Sequence, residues 1–519
     1  MVSQFQLEVT SPPLTRRALL WSLGAGLTGA FASAPSAWAQ SGAQPSTNYD
    51  IRSPIYVSPL GQDGPGRGSI EAPFKRPVAA IAQAQPGDTI VFRPGIYAPL
   101  EIRKSGTADH PLTLTTLPHE TGQAIIDGTG HPEKTGIKIF KQGHLNLSNL
   151  TVRNIISASG ISIANNSGTV GNIRVEACLI HSIDQSAIRC VGLPPGKYSG
   201  TSREIFVENV VLANNEIYDA YRQGAPGNEV ITVGGGVRNI ITENNDIHDS
   251  LQYGIDYKRG VDGGAIRNNR IWNIHKHAIY LDTSFSFVRN ISVHGNIAWN
   301  CNNGLVLARE ARKKSTQILE NIYIYNNVFF DMNRFGLMCY AHPGDGPHGK
   351  IHNIQMRFNT LYNCNLSGKG LQELRVANWL DPKFLKAGVT RNFAIVGNLL
   401  WRDPKRGPPL SYTEGAQSAL AQEAGVEIRD NFNAEEKTGL WGILSGSANG
   451  ENPSFLRIRS RAPASSQGPS HPSVLPDFRL ADTSPARGFV EGPIRPPYTY
   501  DINGLERKPN ASAGAYASP

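Results

Sequence analysis

The chain of 519 residues has a formal net charge of +8, with 39% hydrophobic and 18% charged residues. These values are typical of a folded protein and exclude a disordered chain. Its Lys and Arg residues form no dense run with interleaved aromatic residues, so we expect no nucleic-acid partner. A modest basic excess also suits a protein that binds an acidic polymer.

The N-terminus carries the features of an export signal. Arg16 and Arg17 directly precede an apolar run over 18–34, and small residues at 37 and 39 match the positions that a signal peptidase reads. We expect 1–39 to be a cleaved twin-arginine signal peptide and the mature protein to be periplasmic or secreted. The alternative is a membrane anchor, which the short run rich in Gly, Ala and Ser disfavours. We expect no membrane span after cleavage.

The middle of the chain repeats itself about every two dozen or more residues. Segments 236–247 and 260–271 align without gaps, and the pattern of Asn, any residue and an apolar residue recurs. The Asn residues of this pattern are Asn215, Asn245, Asn269, Asn296, Asn327, Asn359 and Asn398. Short segments with period-two alternation predict strands, and a repeat of such strands predicts a β-solenoid. We expect the Asn side chains to form a ladder from coil to coil.

Both ends of the chain resemble known solenoid proteins. Segments 55–61, 73–75 and 86–97 look like the opening of bacterial right-handed parallel β-helix proteins of the pectate-lyase-like superfamily, and 501–516 resembles their ending. The resemblance implies an all-β chain that forms one single-stranded right-handed parallel β-helix, with a short helix over 79–84 as the N-terminal cap. It implies no single activity, because this fold hosts lyases, hydrolases, epimerases and non-enzymes.

The chain is therefore divided into four segments. We expect a signal peptide over 1–39, a linker and N-terminal cap over 40–100, the parallel β-helix over 101–458, and a C-terminal tail over 459–519 that wraps its outside. Segment 366–390 interrupts the repeat and is expected to be a loop.

Alternation along the strands predicts two columns of outward-facing side chains. The first column holds Ser162, Arg189, Thr232, Asp256, Tyr280, Val306 and Met338, and the second holds Ala164, Val191, Gly234, Lys258, Asp282, Ala308 and Tyr340. Charge gathers on the middle coils, which predicts a groove that binds substrate through Arg189, Glu229, Tyr253, His277, Tyr280, Arg309 and Glu310. The alternative is a structural charge ladder, with Lys258 and Asp282 as an ion pair between coils.

The cluster favours β-elimination from a uronic acid, which needs a base and positive charge for the developing enolate. Lys258 beside Arg259 would supply both, and the neighbouring cation would lower the lysine pKa. Pectate-lyase-like enzymes often use Ca²⁺, so the resemblance adds Asp256, Asp282 and Glu310 as calcium ligands. We expect catalytic roles for Lys258, Arg259, Asp256 and Asp282.

Two other functions remain open from the sequence. A glycoside hydrolase would use Asp256 and Asp282, whose separation of about 8 Å across one coil suits an inverting pair of carboxylates. A non-catalytic carbohydrate-binding β-helix would need neither residue. In each case the expected partner is a polysaccharide, acidic for the lyase. The oligomeric state stays open.

Overall fold

A computed structural model describes residues 51–192, 204–222, 229–284, 286–309, 317–341, 348–367, 373–401, 410–411, 419–433, 453, 455–457, 475–490 and 494–517. Three parallel sheets run through it, and successive strands of the chain enter the sheets in a fixed order, which we name A, B and C. The predicted signal peptide, Glu310 and residues 459–474 lie outside the described residues. In the described part, no helix is long and apolar enough to cross a membrane.

The strands have the following bounds. Sheet A contains Pro54–Val57, Thr89–Phe92, Leu112–Thr116, Leu145–Ser148, Val170–Glu176, Val207–Ala213, Val237–Glu243, Val261–Arg267, Phe287–His294, Ile318–Tyr325, Lys350–Arg357, Thr390–Val396 and Glu427–Arg429. Sheet B contains Gly95–Tyr97, Ala124–Asp127, Thr151–Ile155, Leu179–Ile183, Glu216–Ala220, Asp246–Ser250, Arg270–Ile274, Ile297–Trp299, Val328–Phe330, Thr360–Tyr362, Leu399–Trp401 and Phe432–Asn433. Sheet C contains Leu100–Ile102, Ile137–Phe140, Ile161–Asn165, Ile188–Gly192, Ile231–Gly234, Ile255–Lys258, His277–Asp282, Asn303–Arg309, Leu337–Ala341, Leu374–Val376 and Leu410–Ser411.

The few helices lie outside the repeating coils. Helix Pro77–Gln83 starts with a proline, whose missing N–H costs nothing at a first helical position. It buries Ala80 and Ile81 against the first coils and confirms the predicted cap. A 3₁₀ turn spans Pro118–Glu120, and short helices span Pro382–Lys386 and Ala419–Glu423.

The prediction of a loop over 366–390 is wrong in part. Strand Leu374–Val376 pairs with Leu337–Ala341 in sheet C, and a helix follows it. A strand of three residues is too short to show alternation, which is why the sequence pattern missed it.

The interior is one continuous apolar core along the helix axis. Equivalent positions of successive coils stack, so that Ile188, Ile231, Ile255, Ile279 and Leu305 lie one above the other on sheet C and expose no surface. Stacked strands lie about 4.8 Å apart, and each core side chain therefore contacts its counterparts above and below.

The predicted asparagine ladder is confirmed. Asn269 is fully buried, and its amide donates to Asn296 Oδ1 and to the Thr242 carbonyl, both at 2.9 Å. Its own Oδ1 accepts the backbone N–H and the amide of Asn245 at 3.0 and 2.9 Å. The same bonds join all the predicted members, and the ladder continues to Asn431. Each amide thus satisfies backbone groups at the turn between sheets A and B.

Replacing Asn269 with alanine should lower the free energy of unfolding by about 1–3 kcal/mol, because buried donors and acceptors lose their partner. Chemical denaturation measures this change. The control is Asn302→Ala, which removes a single exposed hydrogen bond with Asn333 and should change stability by less than about 0.5 kcal/mol. Equal stabilities of the two variants would contradict a structural role for the ladder.

Rings stack on the outer face of sheet B. Tyr218, His248, Trp272 and Trp299 follow one another at centroid distances of 4.2–5.2 Å with nearly parallel planes. Phe478 and other tail residues cover the tryptophans, which are almost fully buried. The described part of the tail therefore packs on the outer face of sheet B, whereas the charged cluster lies on sheet C.

Candidate active site

The observed register of sheet C is the predicted one. Asp256 lies opposite Thr232 on the preceding coil and Tyr280 on the following coil, while Lys258 lies opposite Gly234 and Asp282. Side chains two residues apart share a face of a strand. Because Ile255 and Tyr257 fill the core, Asp256 and Lys258 face away from it.

The ammonium of Lys258 lies between two carboxylates. Its Nζ is 2.6 Å from Glu229 Oε2 and 3.2 Å from Asp256 Oδ2. The cluster is largely shielded from water, since Asp256 exposes 1%, Glu229 and Asp282 3% each, and Lys258 8% of its surface. The alternative predicted from the sequence was a simple ion pair between Lys258 and Asp282. In the structure, Glu229 and Asp256 hold the lysine.

Glu229 owes its position to a tight turn before strand Ile231–Gly234. Thr232 Oγ1 accepts the Glu229 N–H at 2.9 Å and lies 3.0 Å from Glu229 Oε2. Ser186 Oγ contacts the same hydroxyl at 2.9 Å from the preceding coil. This chain of hydroxyl and carboxylate groups fixes the Glu229 carboxylate beside Lys258.

The charges of the cluster shift the pKa values of two members upward. Burial alone would lower the pKa of Lys258, but the charges of Asp256 and Glu229 outweigh it and raise that pKa above its ordinary value. Burial raises the pKa of Asp256 well above its usual range, and Glu229 and Asp282 add to the effect, while Lys258 opposes it. Burial and the two neighbouring carboxylates thus make Asp256 harder to ionise than an exposed aspartate.

Arg259 lies directly after the strand that carries Lys258. This residue follows the end of the strand in a left-handed turn, at φ +56°, and is exposed. The pKa of Lys258 is raised and not lowered, because the charges of Asp256 and Glu229 outweigh the effect of burial. The predicted pKa direction is therefore wrong.

Arg309 does not face the groove either. It shares the inward parity of Leu305 and Leu307 and exposes 2% of its surface. Its guanidinium donates to the His348 carbonyl and lies 5.6 Å from the ring centroid of Phe384. Its predicted substrate contact is wrong, because the alternation of the strand places position 309 on the inward-facing side of sheet C.

An aromatic patch adjoins the cluster on the coil of Lys258 and on the next coil. The ring of Tyr253 lies 4.9 Å from that of Tyr280 and 4.8 Å from that of His277. Tyr280 exposes only 4%, whereas Tyr253 and His277 are half-buried and form the accessible part of the patch. Burial and the charges of Lys276 and Arg334 lower the pKa of His277 to about 3, which keeps the imidazole neutral beside Asn303.

The remaining predicted substrate-binding residue, Arg189, lies in the same column two coils before Asp256. It lines a polar pocket with Ser162 and Gln185. The structure thus brings Arg189, Glu229, Tyr253, His277 and Tyr280 onto one face with the Lys258 cluster.

The expected calcium ligands do not form a metal site in the described part of the chain. There, no three His, Cys, Asp or Glu side chains are grouped as metal ligands. The ammonium of Lys258 fills the space between Glu229 and Asp256, and Asp282 accepts the Ser284 N–H at 2.8 Å. Glu310, the third predicted ligand, lies outside the described residues.

Family models cover successive parts of this solenoid. Residues 55–228 match the model described as "Pel9A-like, right handed beta helix region", and residues 198–360 match "Right handed beta helix region". Both models describe right-handed β-helix regions, so the chain is a right-handed parallel β-helix protein, similar to those of the pectate-lyase-like superfamily. The predicted fold and the resemblance noted from the sequence are both confirmed.

Individual relatives match over shorter stretches. Pectate lyase PEL9 of Emericella nidulans is 43% identical over 81 residues, which cover 15% of this chain and 19% of that protein. The uncharacterized protein YwoF of Bacillus subtilis is 28% identical over 144 residues, or 26% of this chain and 30% of that protein. The crystal structure of pectate lyase Pel9A aligns over 90% of this chain and 96% of its own, with 13% identity and a TM-score of 0.43.

Two features of the site were not predicted. The sequence placed Glu229 before a strand but gave no sign that its carboxylate reaches Lys258 on the next coil. The pocket beside Arg189 was also missed, because its lining comes from turns of several coils. The Glu229-x-x-Thr232 spacing was the available signal, since a Thr in this position can fix the preceding turn.

Proposed function

We propose that this protein is a polysaccharide lyase that cleaves a uronate-containing glycan by β-elimination on sheet C. The observation that carries the proposal is the amine of Lys258, held between Glu229 and Asp256 at the centre of the outward face. The family match and the local similarity to a pectate lyase support the same chemistry.

In the proposed reaction, Lys258 acts in its neutral form as the base. It removes the proton from the sugar carbon next to the carboxylate, and the electrons of that C–H bond form a double bond to the neighbouring carbon. The glycosidic C–O bond on that carbon breaks, and the leaving oxygen takes a proton from solvent. Glu229 and Asp256 act as positioning residues, because they hold the amine in one place.

The proposal is tested by incubating the mature protein with a panel of acidic and neutral glycans. Absorbance from an unsaturated uronate is the expected result with an acidic member of the panel. New reducing ends without that absorbance would overturn the lyase assignment in favour of hydrolysis. Binding without any cleavage across the panel would point to a carbohydrate-binding β-helix.

A glycoside hydrolase is the second candidate, and one observation favours it. Asp256 has a pKa well above the usual range, and Asp282 lies on the next coil of the same face. A protonated carboxylic acid near a second carboxylate is the pair that glycoside hydrolysis requires. The two candidates differ in which residue carries the reaction, Lys258 or Asp256.

Export by the twin-arginine route is proposed from Arg16 and Arg17. Replacing both with lysine should leave the precursor in the cytoplasm, because the pair is the feature that this route reads. Cell fractionation followed by detection of the chain measures the result. Undiminished accumulation of the double variant outside the cytoplasm would contradict this route.

A further inference from the structure

A separate polar pocket opens on sheet C, beside the proposed reaction centre. Arg189 lies opposite Ser162 on the preceding coil and Thr232 on the following coil. With Ser162 and Gln185 it lines a cavity of about 330 Å³, whose other lining residues are also mostly polar. Two coils separate Arg189 from Asp256, which corresponds to about 10 Å at the spacing of stacked strands.

The guanidinium of Arg189 has no ion-pair or hydrogen-bond partner among the described residues, unlike Lys258 in the same face. The exposed Glu133 also lines the cavity, but among the described residues it forms no ion pair with Arg189. Segments 193–203 and 223–228, which flank the neighbouring strands in the sequence, contain no Asp or Glu. Burial lowers the pKa of Arg189, as expected for a cation that loses water without gaining a counter-ion.

We propose that this pocket is a subsite for the carboxylate of a uronate other than the one that reacts at Lys258. The inference rests on the proposed function and narrows its substrate class to glycans with more than one uronate within a short stretch. The planar fork of a guanidinium binds a carboxylate through two parallel hydrogen bonds. Ser162 and Gln185 place a hydroxyl and an amide beside it for the sugar.

Binding measured by calorimetry tests the subsite without relying on turnover. The probes are an oligouronide and the same oligomer with its carboxylates methyl-esterified, titrated at mildly acidic pH, where the neutral form of Lys258 is scarce. Arg189→Gln should weaken binding of the charged oligomer about 10–100-fold, the usual worth of a charged hydrogen-bond pair. Binding of the ester should be weak and should not change. The matched control is Arg238→Gln on sheet A, which breaks an exposed pair with Glu208 and should leave affinity unaltered.

Several outcomes would overturn the subsite. One is equal affinity of wild type and Arg189→Gln for the charged oligomer. Another is Arg189-dependent binding of a sulfated neutral glycan without binding of the oligouronide, which would make the ligand a sulfate ester. If Arg189→Gln does not fold, Arg189→Lys takes its place in the test. This variant keeps the charge but loses the planar guanidinium, so it should bind the charged oligomer more weakly than the wild type does.

The result is separable from the proposed activity. Arg189-dependent binding of the oligouronide without cleavage would refute the lyase and leave the subsite standing. Cleavage with an unsaturated product and an unchanged affinity in Arg189→Gln would refute the subsite alone.

Discussion

Replacing Lys258 with arginine should reduce turnover of an acidic glycan by about 10²–10⁴, the usual loss when a general base is removed. Arginine keeps a cation between Glu229 and Asp256 but does not release its proton in proteins. Steady-state kinetics on the confirmed substrate measures the change. Lys350→Arg, on sheet A and paired with Glu320, is the control and should keep full activity.

Lys258→Ala should lose activity to a similar degree but is a less clean variant. It leaves two buried carboxylates without their counter-ion, which destabilises a protein by up to about 3–5 kcal/mol. Melting should therefore be measured beside activity. Near-wild-type turnover in either variant would show that Lys258 is not the base, and Asp256 with Asp282 would become the better candidates.

The rate of a Lys258-dependent elimination should rise about tenfold per pH unit through neutral pH. The carboxylates raise the pKa of Lys258 above 10.5, so the neutral amine is a small fraction of the enzyme at neutral pH and grows as protons are removed. The profile of kcat/KM against pH reports this group in the free enzyme. A plateau is expected only above the raised pKa.

The same measurement separates the two candidate reactions by its sign. A hydrolase that needs the protonated Asp256 should lose activity as pH rises through the raised pKa of that carboxyl. Asp256→Asn sharpens the contrast. In the lyase it removes one of the charges that raise the Lys258 pKa, so the rising limb should move to lower pH. In the hydrolase it should abolish turnover. A falling wild-type profile would contradict the lyase.

The sequence was sufficient to predict the sheet C columns and the asparagine ladder. Period-two alternation fixes which side of a strand each residue occupies, and the repeat fixes which residues stack. The sequence alone therefore places Asp256, Lys258 and Asp282 on one face, as the strand register shows. The fully buried Asn269 could be predicted for the same reason.

Other parts of the site depend on geometry that a linear pattern does not contain. Arg309 was expected in the groove because it follows the outward-facing Ala308. Consecutive residues of a strand face opposite sides, however, and Arg309 is buried. The pKa of Lys258 depends on where the Glu229 carboxylate lies. Glu229 lies in a turn, where no strand alternation predicts the direction of its side chain. Whether Arg189 has a partner among the described residues depends on side chains from several coils.

The masses of the products show whether cleavage proceeds by elimination or by hydrolysis. An acidic oligomer is digested in water labelled with a heavy oxygen isotope, and the fragments are analysed by mass spectrometry. Elimination predicts fragments whose masses sum to that of the substrate, one of them unsaturated and neither labelled at the cleaved bond. Fragments that together gain one labelled water, without unsaturation, would show hydrolysis and refute the lyase.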